Sequence, residues 1–307
     1  MNIVVIGSFM MDLVVRTFRA PAAGETIIGS GFNRFPGGKG ANQAVAAARL
    51  GGKVTMAGML GRDDFGSEML HVMRKENIAT ECIRLHEAPT GIGSIVLEES
   101  GENRIIVVPG ANLKYSPSDL AEIEDVIRGA SILVMQLEMD LTMTEQAVAM
   151  ARKHGVPVIL NPAPAVPLSD ALLRNVAYLT PNETEAGILT GKPVHTAADA
   201  EKAAQELRSK GVRCVIVTLA AQGALIVDEN GTKHVPGYPV RPVDTVAAGD
   251  SFNGALAVQL VSGARVEDAV RFANAVGALT VTREGAIPSL PFLAEVEDFI
   301  NRHRAVS

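Results

Sequence analysis

Residues 243–254 read Val-Asp-Thr-Val-Ala-Ala-Gly-Asp-Ser-Phe-Asn-Gly, and the change of character inside this stretch organises the rest of the chain. Small residues at 247–249 lead into Asp250 and then into an apolar-periodic run ending near Val261, the pattern of a loop feeding a helix N-terminus. Such a terminus leaves backbone N–H groups without partners and carries the positive end of the helix dipole, so it suits an anion. Ala247, Ala248 and Gly249 leave room for close backbone approach to a ligand. A phosphate held by backbone amides with a carboxylate base beside it is the layout of a phosphoryl-transfer site. The same Asp250 also reads as an ordinary helix cap, and the segment by itself supports both readings.

Working outward, apolar strand patterns fall at 3–6, 54–59, 131–135, 156–160, 176–179 and 214–218, with further short strands expected at 224–228 and 233–235. Helix patterns fall between and after them at 42–50, 66–76, 117–128, 142–154, 197–210, 250–262, 266–281 and 291–303. This alternation predicts an α/β fold, a parallel sheet with helices on both faces. Two regions break it. Residues 12–35 and 91–108 hold short runs rich in β-branched residues and Gly, with no helix between the runs. Gly91–Leu97 and Arg104–Val108 read as a hairpin around Glu99–Asn103. Together these segments predict a small sheet standing off the main body as a lid, with an edge extension of the main sheet as the alternative. One domain over residues 1–307 is expected, since no linker, repeat or low-complexity tract divides the chain.

Composition narrows the function classes. With 47% hydrophobic and 20% charged residues, the chain fits a globular protein with a substantial core. Trp is absent and the net charge is −6, which argues against single-stranded nucleic acid, duplexes and anionic membranes as partners. An anionic substrate must therefore be attracted by local groups. Cys82 and Cys214 sit in no metal or redox spacing, the N-terminus runs straight into a strand without a basic leader, and no apolar run is long enough to span a bilayer. A cytoplasmic location is expected. His71, His86, His154, His195, His234 and His303 show no metal-ligand clustering and read as surface or structural residues.

Four further segments could carry chemistry. Pro36-Gly-Gly-Lys-Gly-Ala-Asn-Gln-Ala44 places Gly37, Gly38, Lys39, Gly40 and Asn42 at the start of an Ala-rich helix. It is not a Walker A loop, and by itself it reads as a capping Gly turn with a solvated Lys. Thr180-Pro-Asn-Glu-Thr-Glu-Ala186 follows a strand, and Asn182 with Glu185 has capping-box spacing. Both would also lie at the carboxyl end of a parallel strand, where open α/β sheets bind ligands and a carboxylate can organise hydrated Mg²⁺. Glu138, in Gln136-Leu-Glu138, ends another strand and reads either as a sugar-hydroxyl acceptor or as a solvated loop acid. Asn161-Pro-Ala-Pro164 ends the next and reads as a rigid loop.

As an ordered set these segments resemble the ribokinase family of sugar kinases, also called the PfkB family. Gly37–Ala44 is similar to its N-terminal signature, Asp244–Asp250 to its C-terminal one, and Asn182-x-x-Glu185 to its N-x-x-E motif. Asn161–Pro164 and Pro109-Gly-Ala-Asn112 are similar to the ribokinase branch. The resemblance implies a three-layer αβα Rossmann-like fold with a β-sheet lid, and a homodimer formed through the lids. It implies ATP, Mg²⁺ and an activating monovalent cation, commonly K⁺, and phosphorylation of the 5-hydroxyl of a pentose.

Asp250 is then the implied base, and the amides of Ala248, Gly249 and Asp250 the implied anion hole, each donor contributing about 3–4 kcal/mol to the transition state. Asp12, Gly38, Lys39, Asn42 and Glu138 match sugar-holding positions. Asn182 and Glu185 match the nucleotide and Mg²⁺-water positions, and Thr218, Gly223 and Asn274 match nucleotide contacts. Asp244, Val246, Thr280, Arg283, Gly285 and Ser289 match the cation loop, several through backbone carbonyls.

Two departures stand out. Ala220 replaces the Gly of the family's Thr-x-Gly, which leaves the backbone near the nucleotide less free. Met10 replaces the Asn of Gly-Ser-x-Asn-x-Asp. Met lacks the amide that would bond a sugar hydroxyl, and an unpaired buried hydroxyl costs about 1–3 kcal/mol. The related deoxyribokinases are similar here, so 2-deoxy-D-ribose is the favoured substrate and D-ribose follows. The alternatives are a ketohexose or nucleoside kinase of the same family, and a sugar-sensing protein without activity.

Overall fold

The computed structural model describes residues 2–304; Met1 and residues 305–307, the outermost parts of the domain expected over 1–307, lie outside the described residues. Its strands are β1 (Asn2–Ile6), β2 (Met10–Thr17), β3 (Gly31–Gly37), β4 (Lys53–Gly61), β5 (Ala79–His86), β6 (Gly91–Glu98), β7 (Asn103–Val108), β8 (Ile132–Met135), β9 (Val158–Leu160), β10 (Tyr178–Leu179), β11 (Cys214–Thr218), β12 (Ala224–Asp228) and β13 (Gly231–Val235). Its helices are α1 (Lys39–Arg49), α2 (Asp64–Lys75), α3 (Pro117–Glu122), α4 (Glu124–Arg128), α5 (Leu141–Lys153), α6 (Asp170–Leu173), α7 (Glu183–Thr190), α8 (Ala197–Ser209), α9 (Ala248–Val261), α10 (Val266–Thr280) and α11 (Leu293–Arg304).

Nine strands form the main sheet in the order β13-β12-β11-β10-β9-β8-β1-β4-β5. From β11 to β5 all neighbours are parallel, and β12 and β13 close one edge as an antiparallel hairpin. Alternate residues of each strand face opposite layers. Ile3, Val5, Ile132, Val134 and Ile216 pack with Phe252, Leu256, Val270 and Val276 of α9 and α10. Val4, Ile6, Leu133, Met135 and Val215 pack on the other side with Ala147 and Val148 of α5 and Ala204 and Leu207 of α8. Two cores separated by one sheet make the three layers. The chain leaves β1 toward β4 and β5, then returns to β8 on β1's other side, so the strand order reverses between the parallel neighbours β1 and β8. Open α/β sheets bind ligands at the carboxyl ends of strands at such a reversal.

The segments that broke the alternation form a separate four-stranded sheet, ordered β3-β2-β6-β7. It is not an edge extension of the main sheet. Within it β2 and β6 run parallel, while β2–β3 and β6–β7 are antiparallel. Among the described residues no helix is long and apolar enough to cross a membrane.

Local expectations differ from the structure in several places: α6 has no counterpart among the expected helices, and three further differences have a clear physical reason. The sequence pattern had no strand at 79–86, where β5 pairs with β4 at the sheet edge; its residues are mostly half-exposed, so no continuous apolar run marks it. The single helix expected over 117–128 is two short ones, because Ile123 leaves helical geometry at φ −106° and ψ 9°. Helix α1 begins at Lys39 rather than near 42, behind Gly38 at φ 92°.

Candidate active site

A cleft of about 380 Å³ lies between the carboxyl ends of the main strands and the small sheet. It is lined by Met10 and Asp12 from β2, Lys39 and Asn42 from α1, Glu138 after β8, Asn182 and Glu185 at α7, Thr218 of β11, and residues 245–250 at the start of α9. A larger cleft of about 620 Å³ opens at the amino ends of β10 and β11, but none of the motif residues lines it.

The start of α9 is unlike an ordinary capped helix. Its N-cap is Ala247, held at φ 61°, with no side chain to accept a hydrogen bond. Among the described residues, the N–H groups of Gly249 and Asp250 find no carbonyl acceptor. Asp250, buried with 6% exposure, does not cap this terminus. Its Oδ2 accepts from Asn42 Nδ2 at 2.9 Å and its Oδ1 from Gln43 Nε2 at 3.0 Å. These contacts require α1 and α9 to pack backbone to backbone, and Gly254 permits it: a Cβ there would meet Ala46 Cβ at 2.7 Å and the Gln43 carbonyl at 2.8 Å. The carboxylate is thus presented to the cleft beside open amides at the positive end of a dipole.

Asn182 and Glu185 do close a capping box. Asn182 Oδ1 accepts from Glu185 N at 2.8 Å, and Glu185 Oε2 accepts from Asn182 N at 2.9 Å. They also line the cleft, so closing the box does not remove them from it. Burial pushes the Glu185 pKa up, with Asp250 adding to it, while the Asn182 N–H and Lys39 oppose.

On the side of the small sheet, alternate residues Met10 and Asp12 of β2 face the cleft. Asp12 Oδ1 occupies the space a Cβ on Gly93 would need, and its Oδ2 borders Gly37. Burial, then the neighbouring Glu138, pushes the Asp12 pKa up to about 6, against the pull of Lys39. Burial works against the charge of Lys39, but Asp250, Glu138, Glu185 and Asp12 outweigh it and hold its pKa above the usual range. Glu138 Oε2 accepts from Ser8 Oγ and from the Lys39 N–H, which pins the Gly38–Lys39 turn to the end of β8. Asn42 Oδ1 is buried with no partner, an acceptor left over on the wall of the cleft. Met10 is 5% exposed, and its Sδ lies 3.8 Å from Asn112 Nδ2. The Asn112 amide is itself spent on the Phe9 and Pro109 carbonyls and the Phe9 N–H.

The remaining expected positions are more dispersed. Gly223 and Asn274 do not line this cleft. Asn274 donates to the Val235 and Pro236 carbonyls, and Gly223, at φ 96°, turns the chain where a Cβ would strike Val235 O. Ala220 adopts φ 46°, a left-handed conformation that favours Gly. Of the expected cation-loop positions, Val246 and Gly285 meet at Asp244, whose oxygens accept from Val246 N at 3.0 Å and Gly285 N at 2.9 Å. Thr280 Oγ1 is turned inward to Ser251 and Val276, Ser289 Oγ donates to Ala286 O, and Arg283 pairs with Glu295. Sequence reasoning gave no role to Gln43, Asn161, Thr180 or Asn253, which are buried polar residues linked behind Asp250. The available signal was that Asn42 and Gln43 interrupt the Gly/Ala/Val run between Lys39 and Arg49 of α1.

An αβα sheet whose strand order reverses beside an uncapped helix N-terminus, a pinned carboxylate and an acidic wall suits a phosphotransferase acting on an alcohol group. The chain belongs to the pfkB family of carbohydrate kinases, whose pattern matches residues 1–293. Ribokinase of Schizosaccharomyces pombe is 43% identical over 98% of this chain and 98% of its own length. Deoxyribokinase of Salmonella typhimurium is 36% identical over 98% and 99%. The structure of Arabidopsis thaliana ribokinase complexed with ribose and ATP superposes with a TM-score of 0.91 at 34% identity, covering 97% of this chain and 98% of that one. The protein is a sugar kinase of the ribokinase type.

Proposed function

We propose that this protein transfers the γ-phosphoryl group of ATP to the 5-hydroxyl of a pentose, with 2-deoxy-D-ribose preferred. The observation that carries this reading is the open N-terminus of α9 beside Asp250. In the proposed reaction Asp250 takes the proton of the primary hydroxyl as that oxygen attacks phosphorus. The Ala248, Gly249 and Asp250 amides face the charge that develops on the phosphoryl oxygens. Asp12, Glu138 and the free oxygen of Asn42 accept the remaining sugar hydroxyls, and the Gly38–Lys39 turn borders them. Aligning hydroxyl and phosphate in this way removes entropy from the barrier.

Four carboxylates face one ammonium in the cleft, a poor field for a polyanion without added positive charge. Glu185 keeps one oxygen outside its capping box, and its oxygen chemistry fits hydrated Mg²⁺. Bound there, Mg²⁺ neutralises phosphate charge, while Asn182 and Thr218 border the nucleotide. The 244–246 and 280–289 segments, tied together by Asp244, offer carbonyls and the Ser289 hydroxyl, a donor set that fits a monovalent cation such as K⁺.

Met10 supports the sugar preference. It presents a thioether where the amide is absent, and the adjacent Asn112 has no spare donor. D-Ribose is the second reading, favoured by the 43% identity to a ribokinase against 36% to a deoxyribokinase. Ketohexoses and nucleosides, and a non-catalytic sugar sensor, are the outcomes the assay separates. The small sheet acts as the lid of a single kinase domain. Its outward face exposes Val15, Phe32 and Ile106, apolar surface that a lid-to-lid homodimer would cover. Buried, free Cys82 and Cys214 support a reducing, cytoplasmic compartment.

The test is ADP release with ATP, Mg²⁺ and K⁺ across 2-deoxyribose, ribose, fructose and nucleosides. Turnover on no sugar rejects the kinase reading. A preference for ribose above about tenfold, equivalent to one lost hydrogen bond, rejects the Met10 argument. Met10→Asn is expected to improve kcat/KM for ribose and leave deoxyribose nearly unchanged. Light scattering reads the dimer, which Ile106→Asp should dissociate.

A further inference from the structure

We propose that Gln43 is a positioning residue for phosphoryl transfer: its side-chain amide, locked between Gln136 and Asn161, fixes the rotation of the Asp250 carboxylate. The inference rests on the assignment of Asp250 as base. Gln43 is fully buried, and both its amide hydrogens and its carbonyl oxygen are hydrogen-bonded. Nε2 donates to Asp250 Oδ1 at 3.0 Å and to Asn161 Oδ1 at 3.1 Å, and Oε1 accepts from Gln136 Nε2 at 2.7 Å.

The direction of this chain of amides is set by the main chain. Asn161 Nδ2 donates to the Thr180 carbonyl at 3.3 Å, so Asn161 must turn its oxygen toward Gln43. Gln43 turned over would place its own oxygen against two acceptors. Gln136 Oε1 is left buried without a partner, an arrangement that costs stability and keeps the Gln136 donor aimed at Gln43. Where a Cβ on Gly7 would sit, that oxygen is only 2.1 Å away, so the glycine that follows β1 makes room for the arrangement. On the other side, Thr180 Oγ1 donates to Asn253 Oδ1 at 2.7 Å and Asn253 Nδ2 to the Gly249 carbonyl at 2.8 Å. One connected polar cluster therefore holds both the base and the peptide of the anion hole.

Asn42 alone would hold one carboxylate oxygen and leave the group free to swing. The second bond, from Gln43, removes that freedom, and each oxygen keeps another lone pair for a substrate proton. The charged groups facing Asp250 are Lys39 from α1 and Glu185 from α7. Gln43 is neutral, so it orients the base without altering the charge of the cleft.

The test compares the full-length protein with Gln43→Leu and Gln43→Glu. For Gln43→Leu, kcat is expected to fall about a hundredfold, the size of effect a misplaced reacting group produces, with KM for sugar and ATP within about threefold. In Gln43→Glu the introduced carboxyl can donate a hydrogen bond while protonated and repels Asp250 once ionised. Its kcat relative to wild type should therefore fall as pH rises from about 5 to about 8. A Gln43→Leu kcat within threefold of wild type, a loss confined to KM, or a flat Gln43→Glu ratio overturns the inference. Thermal melts of both variants identify a folding defect, in which case the pH-dependent ratio decides. A wild-type protein inactive on every sugar removes the base assignment and this inference with it. An active wild type with indifferent Gln43 variants overturns only the inference.

Discussion

The N-termini of α7 and α9 open into the same cleft, and the two helices finish them in opposite ways. Each carries an acid at its third position, Glu185 in α7 and Asp250 in α9. Glu185 reaches back to the Asn182 N–H and closes a box within four residues. Asp250 instead meets Asn42 and Gln43, 208 and 207 residues away in the chain. Side-chain length is not the reason, because Asp119 and Asp199 close capping boxes from the same position in α3 and α8. The reason is Ala247, which has no side-chain oxygen to offer and sits in the left-handed region. A box uses helix-end hydrogen-bonding capacity for stability, whereas an unclosed end keeps it for an anion.

The largest expected effect tests the open end. Asp250→Asn keeps the shape but loses the proton acceptor, so kcat should fall by about 10³-fold or more while the ATP dissociation constant stays within threefold. Unchanged turnover would reject the base. The closed end is separated by two substitutions. Glu185→Gln can still fill the box, so its melting temperature should hold while KM for magnesium–ATP rises about tenfold, a change equivalent to the loss of one charged hydrogen bond. Asn182→Ala should instead lower stability by about 1 kcal/mol, read by denaturant titration. If both variants behave alike, α7 contributes a cap and nothing more.

Across the cleft, Asp12 tests the acidic wall by pH. Its pKa stands at about 6 in the fold against an ordinary 3.8, so the folded protein binds the proton first. KM for the sugar should rise as pH falls below about 6, approaching tenfold per unit, as an acceptor carboxylate becomes an acid. The stability sign is the reverse: the cost of the buried charge is present above about pH 6 and is relieved as pH falls toward 3.8. Asp12→Asn should flatten both dependences; a KM independent of pH between 5 and 7 in the unsubstituted protein would exclude Asp12 from sugar binding. The smallest effect is local strain. Ala247→Gly and Ala220→Gly each relieve a left-handed alanine worth about 1–2 kcal/mol, offset by the roughly 0.5–1 kcal/mol entropy of Gly. Melting temperatures should rise slightly or hold, and a clear fall at either position would show that no strain is stored there.

Much of this was legible in the chain. Strand–helix alternation was enough for the sheet and its flanking layers, and the interruption at 12–35 and 91–108 for the small sheet. The Asn182–Glu185 box could be read from spacing alone, because both partners lie within one helical turn. Strand β5 was not legible, since a half-exposed edge strand shows neither a continuous apolar run nor strict alternation. Nor was the break at Ile123, which falls inside an unbroken helical pattern.

The role of Asp250 divides the two kinds of information. Residues 243–254 established by themselves that a helix starts after small residues and carries an acid in its first turn. Whether that acid would cap its own helix or be held away from it by another element could not be decided there, since both fit the same local pattern. Tertiary structure decided it by bringing Asn42 and Gln43 against Asp250 across the Gly254 contact. Hydrogen bonds within a turn are written in sequence spacing. A bond between residues two hundred positions apart exists only once the sheet has placed α1 beside α9.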